Sequence, residues 1–229
     1  MSNTNSSNSV RAVVLDMDGL MIDTEPLYKR AMQETAGELG YDLTDAFMMS
    51  LVGRPDTDCR RLIMKEFGDA FPLDEFWKRW PQIWREIASS HGIKRKPGLE
   101  ELMSYLSDTG LPTAIATSTY REQAEFSLNA AGVTSDFGHM VTGDQVEHGK
   151  PAPDIFLEAA RRLGVDPQQC IALEDSENGI RAAHAANMIA IMVPDLIPPS
   201  DEIRSKASHI ADSLHEVREL ISGMEILQQ

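Results

Sequence analysis

The chain has 229 residues, 42% of them apolar and 25% charged, and a formal net charge of −15. That length and composition fit one large soluble α/β domain or a core domain carrying a smaller insert, and no apolar run approaches the length of a membrane span. The negative field excludes nucleic acid and anionic lipid as general partners, while a small anionic substrate stays compatible if its site is locally positive.

Residues 1–9 are Ser, Asn and Thr after the initiator and lack the basic and apolar regions of a signal peptide, so they are expected to form a disordered tail. Next comes a β-branched apolar run, Val13-Val14-Leu15, inside 10–17, which reads as a strand buried on both faces. Similar runs follow at 112–117, 140–142, 170–173 and 188–193, with a weaker one at 208–211. Helical stretches lie near 99–109, 120–131, 154–163, 177–186 and 213–221. Strands alternating with helices through short connections predict a parallel sheet covered on both sides. Cys59 and Cys170 are the two cysteines and share no metal-binding spacing, so a reducing cytoplasm is the expected compartment.

The alternation breaks between the first and second strands, where about eighty residues look wholly helical. Tyr28, Met32, Ala36 and Leu39 recur at helical spacing, with Thr24 as a cap and Pro26 in the first turn. Phe76, Trp80, Ile83, Trp84 and Ile87 form a second stripe, which Pro81 is expected to bend or interrupt. An aromatic stripe of this kind reads as a helix-bundle core before it reads as a ligand surface. The expected organisation is therefore an α/β core at 10–23 and 94–229, rejoined near Lys96-Pro97-Gly98, and a helical cap at 24–93. An insert leaving at the first strand's carboxyl end is expected above the sheet's ligand-binding edge.

Four segments carry chemistry, each after an apolar strand. Asp16-Met17-Asp18-Gly19 ends the first strand, and period two puts both carboxylates on one side of the extended backbone. Acidic groups so close repel unless a cation or a shared proton relieves them, and carboxylate oxygens suit Mg²⁺. The other reading of such a pair is an acidic strand end that caps the next turn. Thr117-Ser118-Thr119 ends the second strand, where hydroxyls and amides can cradle a phosphate, cap a following helix, or both. Lys150 sits before Pro151 and Pro153 on a stiff turn, from which a fixed ammonium can hold a phosphate oxygen; the plain reading is a solvated surface charge. Glu174-Asp175 ends a further strand and offers a metal ligand from a second direction, although Asp also commonly caps a helix.

In this order, these segments resemble the haloacid dehalogenase superfamily of phosphotransferases over nearly the whole chain, and the insert after the first motif resembles the cap of its β-phosphoglucomutase-like branch. DMDGLMIDTEPLY, IATST, TGDQVEHGKPAPDIF and LEDSENGI are similar to bacterial sugar-phosphate phosphatases. The resemblance implies a Rossmann-like, three-layer α/β/α core with an inserted helical cap. It implies a Mg²⁺-dependent phosphatase acting on a small phosphorylated metabolite, with Asp16 as nucleophile and Asp18 as acid and base. Mg²⁺ would be held by Asp16, the Asp18 backbone carbonyl and Asp175, with Glu174 beside them. Thr117, Ser118 and Lys150 would bind the phosphoryl oxygens, and Arg54 is the cap's offer of a substrate contact, against the plainer reading of a surface arginine.

A phosphomutase of the same fold is the alternative. Related mutases use a cap histidine and a cap arginine; Tyr28 stands at the histidine's place and Asp56 at the arginine's. A non-catalytic binding protein is the third reading, opposed by the intact set Asp16, Asp18, Thr117, Lys150 and Asp175. The acidic surface is expected to favour a monomer.

Overall fold

The structure, a computed structural model, describes residues 9–52, 54, 56–133 and 139–226. In chain order the main elements are β1 (Ala12–Leu15), α1 (Glu25–Glu38), α2 (Asp45–Leu51), α3 (Asp56–Phe67), α4 (Leu73–His91), α5 (Leu99–Asp108), β2 (Thr113–Thr117), α6 (Arg121–Ala130), β3 (His139–Thr142), α7 (Asp154–Leu163), β4 (Cys170–Glu174), α8 (Glu177–Ala185), β5 (Ile189–Met192), α9 (Asp201–Lys206), β6 (His209–Ile210) and α10 (Leu214–Ser222). Two compact units result: residues up to Asp23 with those from Lys94 onward, and Thr24–Ile93. None of the described helices is long and apolar enough to cross a membrane.

The first unit is built on a six-stranded, wholly parallel sheet in the order β3-β2-β1-β4-β5-β6. β1 and β4 are buried along their whole length because their apolar residues do not alternate with polar ones, and both faces are covered. On one face Ala12, Val14, Ala114, Ala116 and Ala172 pack with Ile155, Phe156 and Ala159 of α7 and Ile180 and Ala183 of α8. Small strand residues let those helices approach closely. On the other face Val13, Leu15, Ile115, Ile171 and Leu173 are equally buried. Strand order reverses between β1 and β4, and the carboxyl ends on either side of such a switch point form the crevice in which doubly wound sheets bind ligands.

Two sequence expectations need adjustment. The tail expected over 1–9 lies outside the described residues except for its last residue, and Ser9 is a buried strand residue paired in parallel with Glu225. The single strand expected over 10–17 is divided. Ser9–Val10 pairs with Glu225–Ile226, Arg11 donates its N–H to Gln169 O, and the sheet strand proper begins at Ala12. Beyond Ile22–Asp23 the chain enters the helices, and it returns through Lys94–Arg95, which pairs antiparallel with that segment.

Within the second unit, Ala36, Leu43, Met48, Leu51, Ile63, Phe71 and Phe76 form the core. Tyr28 of α1 stacks on Trp84 of α4 with centroids 5.3 Å apart and meets Trp80 edge-on at 5.8 Å. α4 runs unbroken through Pro81. The proline removes one N–H, and aromatic packing along the α1-facing stripe offsets that loss. Thr24 stands at the N-cap of α1 in helical conformation and makes no side-chain capping bond; Pro26 in the first turn lowers the number of N–H groups that need one.

Candidate active site

Asp16 follows the last residue of β1, and its N–H donates to Leu173 O of β4 at 2.9 Å, which carries the ladder one residue past the strand. Its carboxylate is almost fully buried. Behind it the chain turns back at Gly19, whose N–H donates to Ile22 O and whose φ of +82° suits a residue without a side chain. A methyl group there would lie 2.3 Å from Asp175 Oδ2, so the glycine lets the turn close against the end of β4.

Lys150 reaches into this crevice from the loop between β3 and α7. Its ammonium donates to Asp16 Oδ1, to Glu174 Oε1 and to Ala116 O at 2.9 Å, so all three of its protons are engaged. The side chain is 6% exposed, which rules out the solvated surface charge that a loop lysine first suggests. Glu174 is fully buried: its Oε2 accepts from the Ser176 N–H at 3.2 Å and the Ser176 hydroxyl at 3.0 Å, and Ser176 in turn caps α8 by accepting from Gly179 N. A methyl group on Gly179 would fall 1.8 Å from Glu174 Cδ, so this position admits only hydrogen.

The hydroxyl-bearing turn after β2 divides its work. Thr117 is buried, and its Oγ1 accepts from Thr119 N at 3.1 Å, which leaves its own proton free to be donated. The Thr119 hydroxyl donates to Asp18 Oδ2 at 2.8 Å and fixes that carboxylate. Neither Ser118 nor Thr119 caps the next helix; the N-cap of α6 is Tyr120, without a side-chain bond. Ser118 is exposed, with its carbonyl tight against Gly143.

Asp16, Glu174 and Asp175 each present an oxygen within 4.8 Å of the others, against a single ammonium. Burial pushes the Asp16 carboxyl up to about 8; the Lys150 charge opposes this, and Glu174 and Asp18 reinforce it. Asp175 is driven well above the ordinary carboxylate range, first by burial and then by Glu174 and Asp16. Lys150 is raised above its ordinary value: burial acts against the charge, and Asp16 and Glu174 outweigh it. Oxygen donors of one sign, packed and desolvated, suit a hard divalent cation such as Mg²⁺. Asp18 stands outside this trio.

A carboxyl whose folded pKa exceeds its unfolded value of about 4 binds more protons in the native state, so ionising it costs stability. Stability of the metal-free protein is therefore expected to fall as pH rises from about 4 to about 8, over the range set by Asp16. Added Mg²⁺ should raise Tm more at pH 8.5 than at pH 5.5, because it competes with protons for the same oxygens. Thermal unfolding with Mg²⁺ and with a chelator checks this, and equal gains at both pH values would contradict it.

Of the residues expected from sequence, the first unit brings together Asp16, Asp18, Thr117, Lys150, Glu174 and Asp175. Arg54 belongs to the second unit, where its Nε donates to Ser50 O at 2.7 Å. The sequence reading missed the grip of Thr119 on Asp18 and that of Ser176 on Glu174. The Ser-x-x-Gly spacing at 176–179 signals a helix cap, and nothing local says what else that serine holds.

A profile described as haloacid dehalogenase-like hydrolase matches residues 13–193. The chain is 33% identical over 179 residues to a phosphorylated carbohydrates phosphatase of Thermotoga maritima, covering 78% of this chain and 82% of that one. It is 32% identical over 193 residues to hexitol phosphatase B of Escherichia coli, covering 81% and 84%. The crystal structure of a candidate beta-phosphoglucomutase from Thermotoga maritima superposes with a TM-score of 0.81 at 29% identity, over 93% of this chain and 99% of that one. Some plant relatives are longer; the chain spans 57% of a bifunctional riboflavin kinase/FMN phosphatase of Arabidopsis thaliana.

Proposed function

The chain belongs to the haloacid dehalogenase-like hydrolases and is a phosphoric monoester hydrolase; from that premise we propose that it releases phosphate from a small sugar or sugar-alcohol phosphate through a phosphoryl group carried by Asp16. The observation that carries this reading is the buried Asp16–Lys150–Glu174 cluster at the sheet's switch point, with Asp18 held beside it by Thr119.

In the first step an Asp16 carboxylate oxygen bonds to phosphorus as the phosphorus–oxygen bond to the metabolite breaks, and Asp18 gives its proton to the departing oxygen. In the second, water attacks phosphorus and gives one of its protons to Asp18, and the Asp16–phosphorus bond breaks to free inorganic phosphate. The Thr119 hydroxyl keeps Asp18 aimed through both steps. Bound Mg²⁺, held by Asp16, Asp175 and the Asp18 carbonyl with Glu174 beside them, would supply neutralisation of the charge on the phosphoryl oxygens. Thr117 has a free hydroxyl proton for a phosphoryl oxygen, and the Ser118 amide follows it at the strand end. Lys150 has no spare proton, so its contact with phosphate comes in exchange for one of its present bonds, and Glu174 anchors it meanwhile. Arg54 is the substrate contact we assign to the helical unit.

The relatives named for phosphorylated carbohydrates and hexitols support the substrate class. Against a mutase, Tyr28 is committed to stacking on Trp84, and Asp56 accepts from Trp77 Nε1 at 3.0 Å and from Arg60. The test is phosphate release from a panel of hexose, pentose, polyol and glycerol phosphates, with Mg²⁺ and with a chelator. Mg²⁺-dependent release, highest on sugar or polyol phosphates, is expected. No release above the chelated control across the panel would overturn the proposal, and interconversion of phosphate isomers would favour the mutase.

A further inference from the structure

Asp195 lies three residues beyond β5, the strand next to β4, and is delivered to the same sheet edge as Glu174 and Asp175; Met192 pairs with Glu174, and Val193 N donates to Glu174 O at 2.7 Å. Its side chain is 12% exposed. The two carboxylate oxygens have different fates. Oδ1 accepts from Lys96 Nζ at 2.6 Å. Lys96 is itself fixed, because its backbone N–H donates to Met21 O at 2.9 Å and its ammonium lies 3.9 Å from Asp23 Oδ1. Oδ2 is buried and accepts no hydrogen bond among the described residues.

That orphan oxygen has a direction. A methyl group built on Gly19 would lie 3.4 Å from Asp195 Oδ2 and 2.3 Å from Asp175 Oδ2, so both oxygens flank the same bare glycine of the Asp16–Ile22 turn. With a cation keeping Asp175 ionised, both carboxylates only accept, and neither can satisfy the other. Buried acceptors left in this way need a donor. Mg²⁺ uses few protein carboxylates and keeps several waters, and those waters are donors. We propose that Asp195 is a positioning residue of the acidic site, whose Oδ2 accepts a hydrogen bond from a water on the cation held beside Asp175 while Lys96 holds the carboxylate in place.

This rests on the cation site of the proposed function, and the experiment separates the two. Mg²⁺ affinity is measured by titration calorimetry on the full chain stripped with a chelator, and Mn²⁺ binding by its paramagnetic resonance signal. The chains compared are the wild type, Asp195→Asn, Asp195→Ser and Asp175→Asn. Loss of an outer partner of a metal site weakens affinity by about 10- to 100-fold, so a drop of about tenfold or more is expected in both Asp195 variants, with the chelated proteins still folded by circular dichroism. Two position-195 variants keep the test open should one fail to fold. A merely structural Asp195–Lys96 pair would lower Tm and leave Mg²⁺ affinity alone; affinity within twofold of wild type in the folded variants overturns the inference and leaves the phosphatase reading intact. No Mg²⁺ binding by the wild type, or undiminished binding by Asp175→Asn, overturns the cation site and this inference with it.

Discussion

Asp16→Asn is expected to reduce phosphate release by about 10⁴-fold or more on every substrate the wild type accepts, the scale of loss seen when a covalent nucleophile is removed. The amide matches the carboxylate in shape and cannot bond to phosphorus as a nucleophile of comparable strength. The fold should survive the change. Burial and the charge of Glu174 raise the Asp16 carboxyl to about 8, so a neutral group at this position relieves repulsion in the metal-free protein. Unfolding at pH 8 in a chelator should show Tm unchanged or raised, which separates lost chemistry from lost structure. Residual turnover within about tenfold of wild type would show that another group carries the phosphoryl transfer.

Lys150→Met is expected to have the largest effect on stability. Methionine keeps much of the side chain's length and leaves Asp16 and Glu174, both buried, with no counter-charge. Removing one partner of a buried ion pair costs about 3–5 kcal/mol. In a protein of this size that corresponds to a Tm lower by roughly 6–20 °C. The sign of the pH dependence follows from the charges. Lys150 is raised above its ordinary value and so is ionised across neutral pH; its contribution is full there and is lost only in strongly alkaline solution. The deserted carboxyls can escape their penalty by taking protons, so the deficit should be larger at pH 8 than at pH 5.5. Phosphate release should fall together with stability, by at least about 10²-fold. A variant that melts within about 2 °C of wild type would show that the ammonium is not the charge that holds this site together.

Much of the fold is legible in the sequence because buried parallel strands are written as short apolar runs. Val13-Val14-Leu15, residues 113–117 and 170–173 are recognisable as strands from residue type alone, and with them the residues at their carboxyl ends. The division of the first run is hidden, because Val10 is as apolar as Val13; only its pairing with Ile226, at the far end of the chain, assigns it to a separate ribbon. Pro81 misleads for a related reason. Its local cost is readable from the sequence, and the tertiary packing of Trp80 and Trp84 that offsets it is not.

The same line divides the site. Residue types after apolar strands, read together with the family resemblance, point to Asp16, Asp18, Thr117, Lys150, Glu174 and Asp175 as one group, because a parallel sheet gathers its strand ends on one edge. The tertiary structure alone decided the partners. It buries Lys150, 134 residues from Asp16 in sequence, in an ion pair with it. It brings the Thr119 hydroxyl to Asp18 across 101 residues and ties Lys96 to Asp195 across 99. Contacts of that range leave no periodic trace in the chain. They arise only when strand order reverses between β1 and β4 and the loops of distant segments meet over one crevice.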